Sequence, residues 1–308
     1  MSEIEQSIKN KIEAIGTPLK DWDIQINYGI KTGFNDAFII STEKRDEILA
    51  NCKTDEERQR TADLIRPILR GRDIKRYGYD WADLYLIATF PAKHYDIEQY
   101  PAVKQYLLSF AKDDLLNAGY DWVVNDYLAD FCKKKLSQTG SFIEIKGKRI
   151  TLGTTPEKAR KRTNNKWFET QDSISYWDDF FKPKICWKAV GRNLAFAIVE
   201  AGIFLTAPAS FIQSGQVNEY ILAYLCSKVG RYFIYKNSDT TGAGDIMLNI
   251  QSLIRFPIPK DSQYNLQLTN YVLEQNKRYS PDIQNKIDSL VFEIYGFNEN
   301  EIKEIESC

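Results

Sequence analysis

A polar stretch between Lys146 and Lys166 combines the residue types that contact nucleic acids. It holds eight basic residues against the single acid Glu157, a net charge of +7. Arginine and lysine neutralise phosphates or reach guanine, and asparagine can pair with adenine through two hydrogen bonds. The same composition is typical of a solvated loop, so both interpretations stay open. The candidate contact residues are Lys146, Lys148, Arg149, Lys158, Arg160, Lys161, Arg162, Asn164, Asn165, Lys166 and Trp167.

A second basic segment, residues 66–81 (RPILRGRDIKRYGYDW), interleaves aromatic side chains with its cations. Two such segments in a chain whose net charge is only −1 favour a local nucleic-acid face over a globally basic protein. Tyr77 and Tyr79 fit either a contact face or a hydrophobic core, and Trp81 is predicted to lie in the core. The candidate contact residues are Arg70, Arg72, Lys75 and Arg76.

Two polar segments that contain glycine, 29–38 (GIKTGFNDAF) and 240–245 (TTGAGD), are typical of turns. Small residues also let a backbone approach a sugar–phosphate chain closely and offer it N–H donors. The sequence leaves both interpretations open. For the second, the candidate residues are Lys31, Thr32, Asn35, Thr240 and Thr241.

Residue types for catalysis are scarce. His94 is the only histidine, and its polar surroundings predict a solvated surface residue rather than part of a Ser-His-Asp, Cys-His or metal site. Gly242 and Gly244 lack the third glycine of a dinucleotide fingerprint, because that position is Met247, and no P-loop motif occurs. No Pro-Pro pair exists, so the Asn-Pro-Pro-Tyr loop of DNA amino-methyltransferases is absent. We therefore expect no catalytic residue, no metal and no S-adenosylmethionine site in this chain.

A metal-dependent nuclease would need clustered carboxylates and a lysine. Two loose matches occur, but such spacings arise by chance in a chain with 42 acids and 41 basic residues. A self-contained nuclease is therefore kept only as an alternative. The matches are Asp130 with Glu144 and Lys146, and Asp282 with Glu301 and Lys303.

Length and composition are those of a globular protein. The 308 residues suggest two domains, or one domain with a large insertion. No apolar run is long enough to cross a membrane and the first residues form no apolar signal region, so we expect a cytoplasmic protein without a membrane partner. Five widely spaced cysteines favour reduced thiols, and Cys186 and Cys226 are predicted to pack in a core.

The spacing of apolar residues predicts an α+β fold, with small mixed or antiparallel curved sheets, a helical insertion and a C-terminal helical tail. Three segments follow from it: an incoming helix in 1–20 that links to an upstream domain, a region 21–259 with a helical insertion at about 91–140, and a helical end at 260–308. Strands are predicted at 22–26, 37–40, 83–90, 142–152 (a hairpin) and 184–206 (three strands), and further helices at 43–63, from 217 and at 283–294.

Seven blocks of the sequence resemble the TaqI-like C-terminal specificity domain of type II restriction–modification proteins, especially of the fused type IIG kind. They follow the family's order over nearly the whole chain. Together they are specific to this family, whereas any single block would be a weak match. The blocks are GTPLKDW (16–22), GIKTGFNDAFII (29–40), RPILRGRDIKRY (66–77), RKRTNNKWFETQDSISYWDDFFKPKICW (160–187), FLTAPASFI (204–212), TTGAGDIMLNIQSLIRFPIP (240–259) and IDSLVFEIYGFNENEI (287–302).

The resemblance implies a target recognition domain that reads a site in double-stranded DNA for an adenine methyltransferase and, in fused proteins, also directs a nuclease. In such proteins the catalytic domain lies upstream, so the resemblance implies an upstream methyltransferase or nuclease domain or subunit as a partner. It implies S-adenosylmethionine, and Mg²⁺ where a nuclease is attached, for that parent protein and not for this chain. As a further alternative, amphipathic helices at 1–15 and 281–295 fit a specificity subunit that docks separate methylase and nuclease chains.

Overall fold

The computed structural model describes residues 2–107, 109, 142–145, 148–151, 165, 166 and 168–308. The chain forms two compact units. The first unit contains residues 1–29, 69–81 and 178–308, and the second unit contains 30–68 and 82–177. The division at residues 20 and 259 expected from the sequence stays a prediction.

A four-stranded antiparallel sheet lies at the centre of the first unit. Lys184–Trp187 is a central strand and is buried along its whole length, which suits the apolar residues Ile185, Cys186 and Trp187. Its register places Trp187 opposite both Phe196 and Ser210. In spatial order the strands are Phe196–Val199, Lys184–Trp187, Ser210–Gln213 and Gln25–Tyr28.

Shorter strands surround this sheet. Proline lacks the N–H donor of a ladder, and here Pro18 and Pro257 pair in a sheet of only two strands. The pairs are Thr17–Pro18 with Pro257–Ile258, and Ile74–Lys75 with Gly78–Tyr79; a further sheet has the order Val190–Gly191, Ile246–Met247 and Asp239–Thr240, and Phe204–Leu205 is another short strand.

Helices cover the first unit, and their apolar faces form one buried cluster with the central sheet. Ile8 and Ile12 of the first helix belong to this cluster, as do Ile287 and Val291 near the end of the chain. The helices are Glu3–Ile15, Asn218–Leu225, Lys228–Asn237, Ile250–Leu253, Asn265–Lys277, Pro281–Tyr295 and Glu299–Ser307, with 3-10 turns at Leu19–Asp21, Gly71–Asp73, Trp177–Phe181 and Gly215–Val217.

The second unit contains an antiparallel sheet in which Leu84–Ile87 pairs with Ile39–Ser41 on one side and with Ile65–Leu69 on the other. Its hairpin joins Phe142–Ile145 to Lys148–Thr151. Helices occupy Asn35–Phe38, Thr42–Ala50, Asp55–Leu64 and 101–107, and 3-10 turns occupy Pro91–Lys93 and Ile97–Gln99.

These elements confirm the predicted α+β class, the first helix, the hairpin and the three strands predicted between 184 and 206, where Val190–Gly191 is a fourth. Three expectations were wrong. The helix predicted at 43–63 is two helices, Thr42–Ala50 and Asp55–Leu64, because the Thr54 side chain accepts the N–H of Glu57 and begins a new helix. The segment 37–40 is not one strand, because the helix Asn35–Phe38 precedes the strand Ile39–Ser41. The helix expected from residue 217 ends at Leu225, and a new helix begins where the Ser227 side chain accepts the N–H of Gly230. Most of the expected insertion, 110–140, lies outside the described residues.

Candidate nucleic-acid interface

A cavity of about 650 Å³ in the first unit has six cationic side chains among the residues that line it. Three of them, Arg72, Lys75 and Arg76, belong to the basic segment singled out in the sequence. The others were not singled out from the sequence: they are Lys188, Lys228 and Arg231. The cavity therefore gathers six cations from separated parts of the chain, which creates a local positive field in a nearly neutral protein.

The hairpin of Ile74–Lys75 and Gly78–Tyr79 presents Arg76 and Tyr77 at its two-residue turn. Tyr77 has φ +64°, a left-handed conformation that is uncommon for a bulky residue. Its N–H donates to the carbonyl of Phe196 at 2.9 Å, and its buried hydroxyl donates to Gln284 Oε1 at 2.7 Å. These bonds hold the strained turn, and with it Arg76, in one place.

Arg76 is fixed by aromatic rings and by a backbone carbonyl. Its guanidinium carbon lies 5.7 Å from the ring centre of Tyr77 and 5.9 Å from that of Tyr279. The guanidinium also donates to the carbonyl oxygen of Cys226. Two tyrosine rings near one guanidinium allow cation–π attraction, which orients the side chain beside the cavity.

The cations differ in how far they are already neutralised. Lys228 pairs with Glu306 at 2.7 Å, and Lys75 Nζ lies 3.8 Å from an Asp80 oxygen. Within the part of the chain that the structure describes, Arg72 and Lys188 form no ion pair. These two side chains can therefore accept an anion without first breaking a salt bridge.

Asp288 is the one acid among the described residues that line the cavity, and only 2% of it is exposed. Its Oδ1 accepts the N–H of Lys228 at 2.8 Å and the side-chain amide of Gln284 at 3.1 Å. Burial raises the pKa of this carboxyl group above its usual value, and these hydrogen bonds and Arg76 counteract that rise. Six cations thus face the cavity with one acid that is withdrawn from solvent.

Arg70, predicted as a contact, does not line the cavity, because its guanidinium pairs with Asp73. Trp81 was predicted to be a core residue and this is wrong, since 37% of it is exposed. At Gly29 the backbone lies close to another part of the protein and not to an open surface. A Cβ there would lie 2.5 Å from the carbonyl carbon of Thr206.

Five predicted residues of the second unit lie together. The N–H of Lys31 donates to Asp172 Oδ2 at 3.0 Å, and the N–H of Gln171 donates to the Thr32 carbonyl at 3.0 Å. The Asn165 side chain donates to the carbonyls of Thr170 and Gln171, each at 2.8 Å. The segments that carry Lys31, Thr32, Asn35, Asn165 and Lys166 are therefore neighbours, although they are far apart in the sequence.

Their side chains divide between structure and surface. Thr32 is buried and its hydroxyl donates to Asn35 Oδ1 at 2.6 Å, so it stabilises the turn. Lys31 and Lys166 are exposed, and Lys166 Nζ lies 5.7 Å from the ring centre of Phe168. In this unit Lys31 and Lys166 place positive charge at the surface, while Thr32 and Asn165 hold the two segments in place.

The glycine-containing segment 240–245 turns a short hairpin in the first unit. Thr240 pairs with Ile246, and the N–H of Thr241 donates to the Asp245 carbonyl at 2.7 Å. Gly244 has φ +82°, which explains the glycine there. Thr240 is exposed, but this hairpin does not line the described cavity.

Most of the basic stretch 146–167 falls outside the described residues. Lys148 and Arg149 lie on the strand Lys148–Thr151, whose backbone is described. The predicted contacts outside the described residues are Lys146, Lys158, Arg160, Lys161, Arg162, Asn164 and Trp167. Their role in binding stays a prediction.

Glu301 of the second nuclease-like spacing is occupied by structural bonds. It is buried, and its carboxylate accepts from Ser7 Oγ and Lys11 Nζ, each at 2.6 Å. Asp130 of the first spacing lies outside the described residues. The described residues contain no group of three or more His, Cys, Asp or Glu that could hold a metal ion.

No described helix is long and apolar enough to cross a membrane. His94 is exposed, as predicted.

Comparison with known proteins gives one family and a common fold. The family described as the TaqI-like C-terminal specificity domain matches residues 66–258. No curated protein matches the chain.

Two solved structures of restriction–modification proteins are similar to the chain. The type IIL restriction-modification enzyme MmeI, solved in complex with DNA, is similar over 94% of this chain, at 12% identity and a TM-score of 0.55. The type IIG restriction endonuclease BpuSI is similar over 95%, at 14% identity and a TM-score of 0.50. At such identities the likeness concerns the fold. The chain spans 35% of the MmeI chain and 33% of the BpuSI chain.

Proposed function

The chain belongs to the TaqI-like C-terminal specificity domains, the DNA-recognition domains of restriction–modification proteins, and we propose that it holds a DNA duplex for a catalytic domain outside this chain. That domain would methylate an adenine within the recognised site and, in a fused parent, also cleave the DNA. This division of labour fits the lengths, because the chain spans about a third of each similar enzyme.

The observation that carries the proposal is the convergence of cations on one cavity. Arg72, Lys188 and Arg231 come from three separate parts of the sequence and line the same surface. Phosphate contacts supply most of the salt-dependent attachment to DNA, and side chains that reach base edges supply the sequence preference. The exposed Lys31 and Lys166 give the second unit a further candidate surface.

Cofactor chemistry is assigned to the parent protein. We propose that S-adenosylmethionine, and Mg²⁺ if a nuclease is attached, are held by the upstream domain or subunit. The chain's own contribution is to bind and orient the duplex.

The docking alternative receives less support from the packing. The helices Glu3–Ile15 and Pro281–Tyr295 direct Ile8, Ile12 and Ile287 into the buried cluster of the first unit. Much of their apolar surface is therefore used inside the unit, while Ile4 and Ile15 of the first helix stay exposed.

Salt-dependent binding of duplex DNA tests the proposal. If about six phosphates are neutralised, the logarithm of the binding constant should fall against that of the salt concentration with a slope near −5. Replacing Arg72 and Lys188 by glutamine should weaken binding and reduce the slope by about 2, whereas the exposed control Lys303→Gln should change neither. Absence of duplex binding at low salt, also with the catalytic part attached, would refute the proposal.

A further inference from the structure

We propose that the cavity of the first unit takes one unpaired nucleotide, with its base stacked on Tyr279 and its phosphate held by Arg72 and Lys188. The proposal rests on the proposed function, because the nucleotide would belong to the bound DNA. It goes further in assigning a ligand and an aromatic contact residue to a defined cavity.

The size of the cavity suits such a ligand. Its volume of about 650 Å³ lies inside the range of roughly 300–1,000 Å³ found for pockets that bind small molecules and cofactors. A flat phosphate-binding face would need no such depth. The cavity is thus large enough for a single base with its sugar, in addition to a surface that attracts phosphate.

Two tyrosines that line the cavity each have an arginine guanidinium close to the ring. Tyr279 is 48% exposed, and the guanidinium carbon of Arg76 lies 5.9 Å from its ring centre. The guanidinium carbon of Arg231 lies 5.2 Å from the ring centre of Tyr235. Aromatic rings combined with arginines are typical of surfaces that bind single-stranded nucleic acid, because each base can stack on a ring.

Tyr279 is the better stacking surface because its position is fixed while much of it stays exposed. The rings of Tyr77 and Tyr279 are stacked, with centres 6.5 Å apart and planes inclined by 28°. Tyr77 is itself held by its hydrogen bonds to Phe196 and Gln284. A base that stacks on Tyr279 would therefore meet a ring that is already ordered, which lowers the entropic penalty of binding.

The charges and amides of the cavity give the nucleotide an orientation. Arg72 is exposed and Lys188 half-exposed, whereas the acid Asp288 is buried. Phosphate is therefore attracted toward Arg72 and Lys188 and away from the buried carboxylate of Asp288. The exposed side-chain amides of Asn193 and Asn285 line the same cavity, and an amide can pair with the edge of adenine through two hydrogen bonds.

Three forms of one DNA separate stacking from phosphate attraction: a perfect duplex, the duplex with one extra unpaired adenine, and the duplex with an extra abasic nucleotide at the same place. Equilibrium binding to the full chain is measured for each. We expect the unpaired adenine to bind roughly ten-fold more tightly than the abasic form, because stacking of a base on an aromatic side chain accounts for a change of that order.

Variants of Tyr279 assign the effect to its ring. Tyr279→Ala and Tyr279→Leu should remove the preference for the unpaired adenine, and Tyr279→Phe should keep it. Tyr28→Ala, which removes an exposed tyrosine of the same unit outside the cavity lining, should also keep it. The leucine variant retains apolar bulk at this exposed position and guards against a general effect of truncation.

The outcomes distinguish this inference from the proposed function. Salt-dependent binding of all three DNAs with equal affinity would overturn the nucleotide site and leave duplex recognition intact. An adenine preference that survives Tyr279→Ala would overturn the role of this ring. Failure to bind any of the three DNAs would overturn the proposed function, and the nucleotide site with it.

Discussion

Arg70 and Asp73 form a two-point ion pair within one turn of the chain. Arg70 Nε donates to Asp73 Oδ2 at 3.0 Å, and Arg70 Nη2 donates to Asp73 Oδ1 at 2.7 Å. The backbone N–H of Arg70 donates to the same carboxylate at 2.8 Å. Burial tends to raise the pKa of Asp73, but the hydrogen bonds from Arg70 outweigh it and hold the pKa below its usual value.

This pair predicts that two arginines only two positions apart behave differently. Arg70→Gln should lower the free energy of unfolding by about 1–2 kcal/mol and leave the salt dependence of DNA binding nearly unchanged. Arg72→Gln should reduce the salt dependence of DNA binding and leave the free energy of unfolding nearly unchanged. Its side chain lines the cavity and forms no ion pair among the described residues. Urea denaturation and salt titrations of both variants measure the contrast. A large loss of salt slope in Arg70→Gln would contradict this division.

Glu301 joins the last helix to the first and predicts acid sensitivity. Although burial tends to raise its pKa, the bonds from Lys11 and Ser7 keep the pKa below the usual value. The unfolded pKa is then higher than the folded one, so the stabilisation is fully present above the unfolded pKa. It is lost as the pH falls through the folded pKa.

Glu301→Gln should therefore lower the free energy of unfolding by about 1–3 kcal/mol at neutral pH. The difference in the free energy of unfolding between this variant and the wild-type protein should shrink as the pH falls below about 4.5, the usual pKa of a glutamate. Denaturation curves across this pH range measure it, with the exposed Glu274→Gln as a control. A gap that stays constant would show that the carboxylate charge is not what stabilises the contact.

Lys184 predicts a pH dependence of the same sign on the alkaline side. It is fully buried, and its Nζ donates to the carbonyls of Phe180 at 3.0 Å and Glu200 at 3.1 Å. Burial lowers its pKa to about 8. Between that pH and the higher unfolded pKa the unfolded chain binds the proton more tightly, so the contribution of Lys184 to stability rises with pH.

The comparison variant is Lys184→Met, which keeps length and removes the titrating group. We expect it to be less stable at neutral pH by about 1–3 kcal/mol, because buried carbonyls lose their donor. Its deficit relative to the wild-type protein should grow between pH 7.5 and pH 9.5, measured by urea denaturation. An unchanged deficit would mean that the amine does not titrate in this range.

The basic stretch outside the described residues gives a prediction from sequence alone. Converting Arg160, Lys161 and Arg162 to glutamate should weaken duplex binding and reduce its salt slope by about 3, since each lost phosphate contact removes about 0.9. Salt titration of the triple variant measures the slope. If the slope matches that of the wild-type protein, the stretch does not contact phosphates.

Local sequence patterns predicted local structure and only part of the candidate site. Arg72, Lys75 and Arg76 could be identified because they stand within one basic run. Lys188 and Arg231 could not, since the first follows a buried strand and the second lies on a helix rich in aromatic residues. They reach the cavity only through tertiary packing, which residue spacing along the chain does not encode.

Residue type alone also did not distinguish side chains that could contact a ligand from side chains that stabilise the fold. Asn165 and Thr32 suit base recognition by chemistry, yet their side chains bond to the neighbouring backbone and to Asn35. Trp81 is large and apolar, yet it is exposed. An amide or a hydroxyl satisfies a turn as readily as it satisfies a ligand, so composition alone leaves the choice open.

The first unit is discontinuous, since its three segments are separated by the two segments of the second unit. Ile8 and Ile305 belong to the same buried cluster, so that cluster cannot close until nearly all of the chain has left the ribosome. Its pairings span long stretches of sequence, and contacts of this kind form slowly. During synthesis the isoleucines of the helix Glu3–Ile15 therefore stay uncovered until the last segments emerge, and exposed apolar surface of this kind favours aggregation.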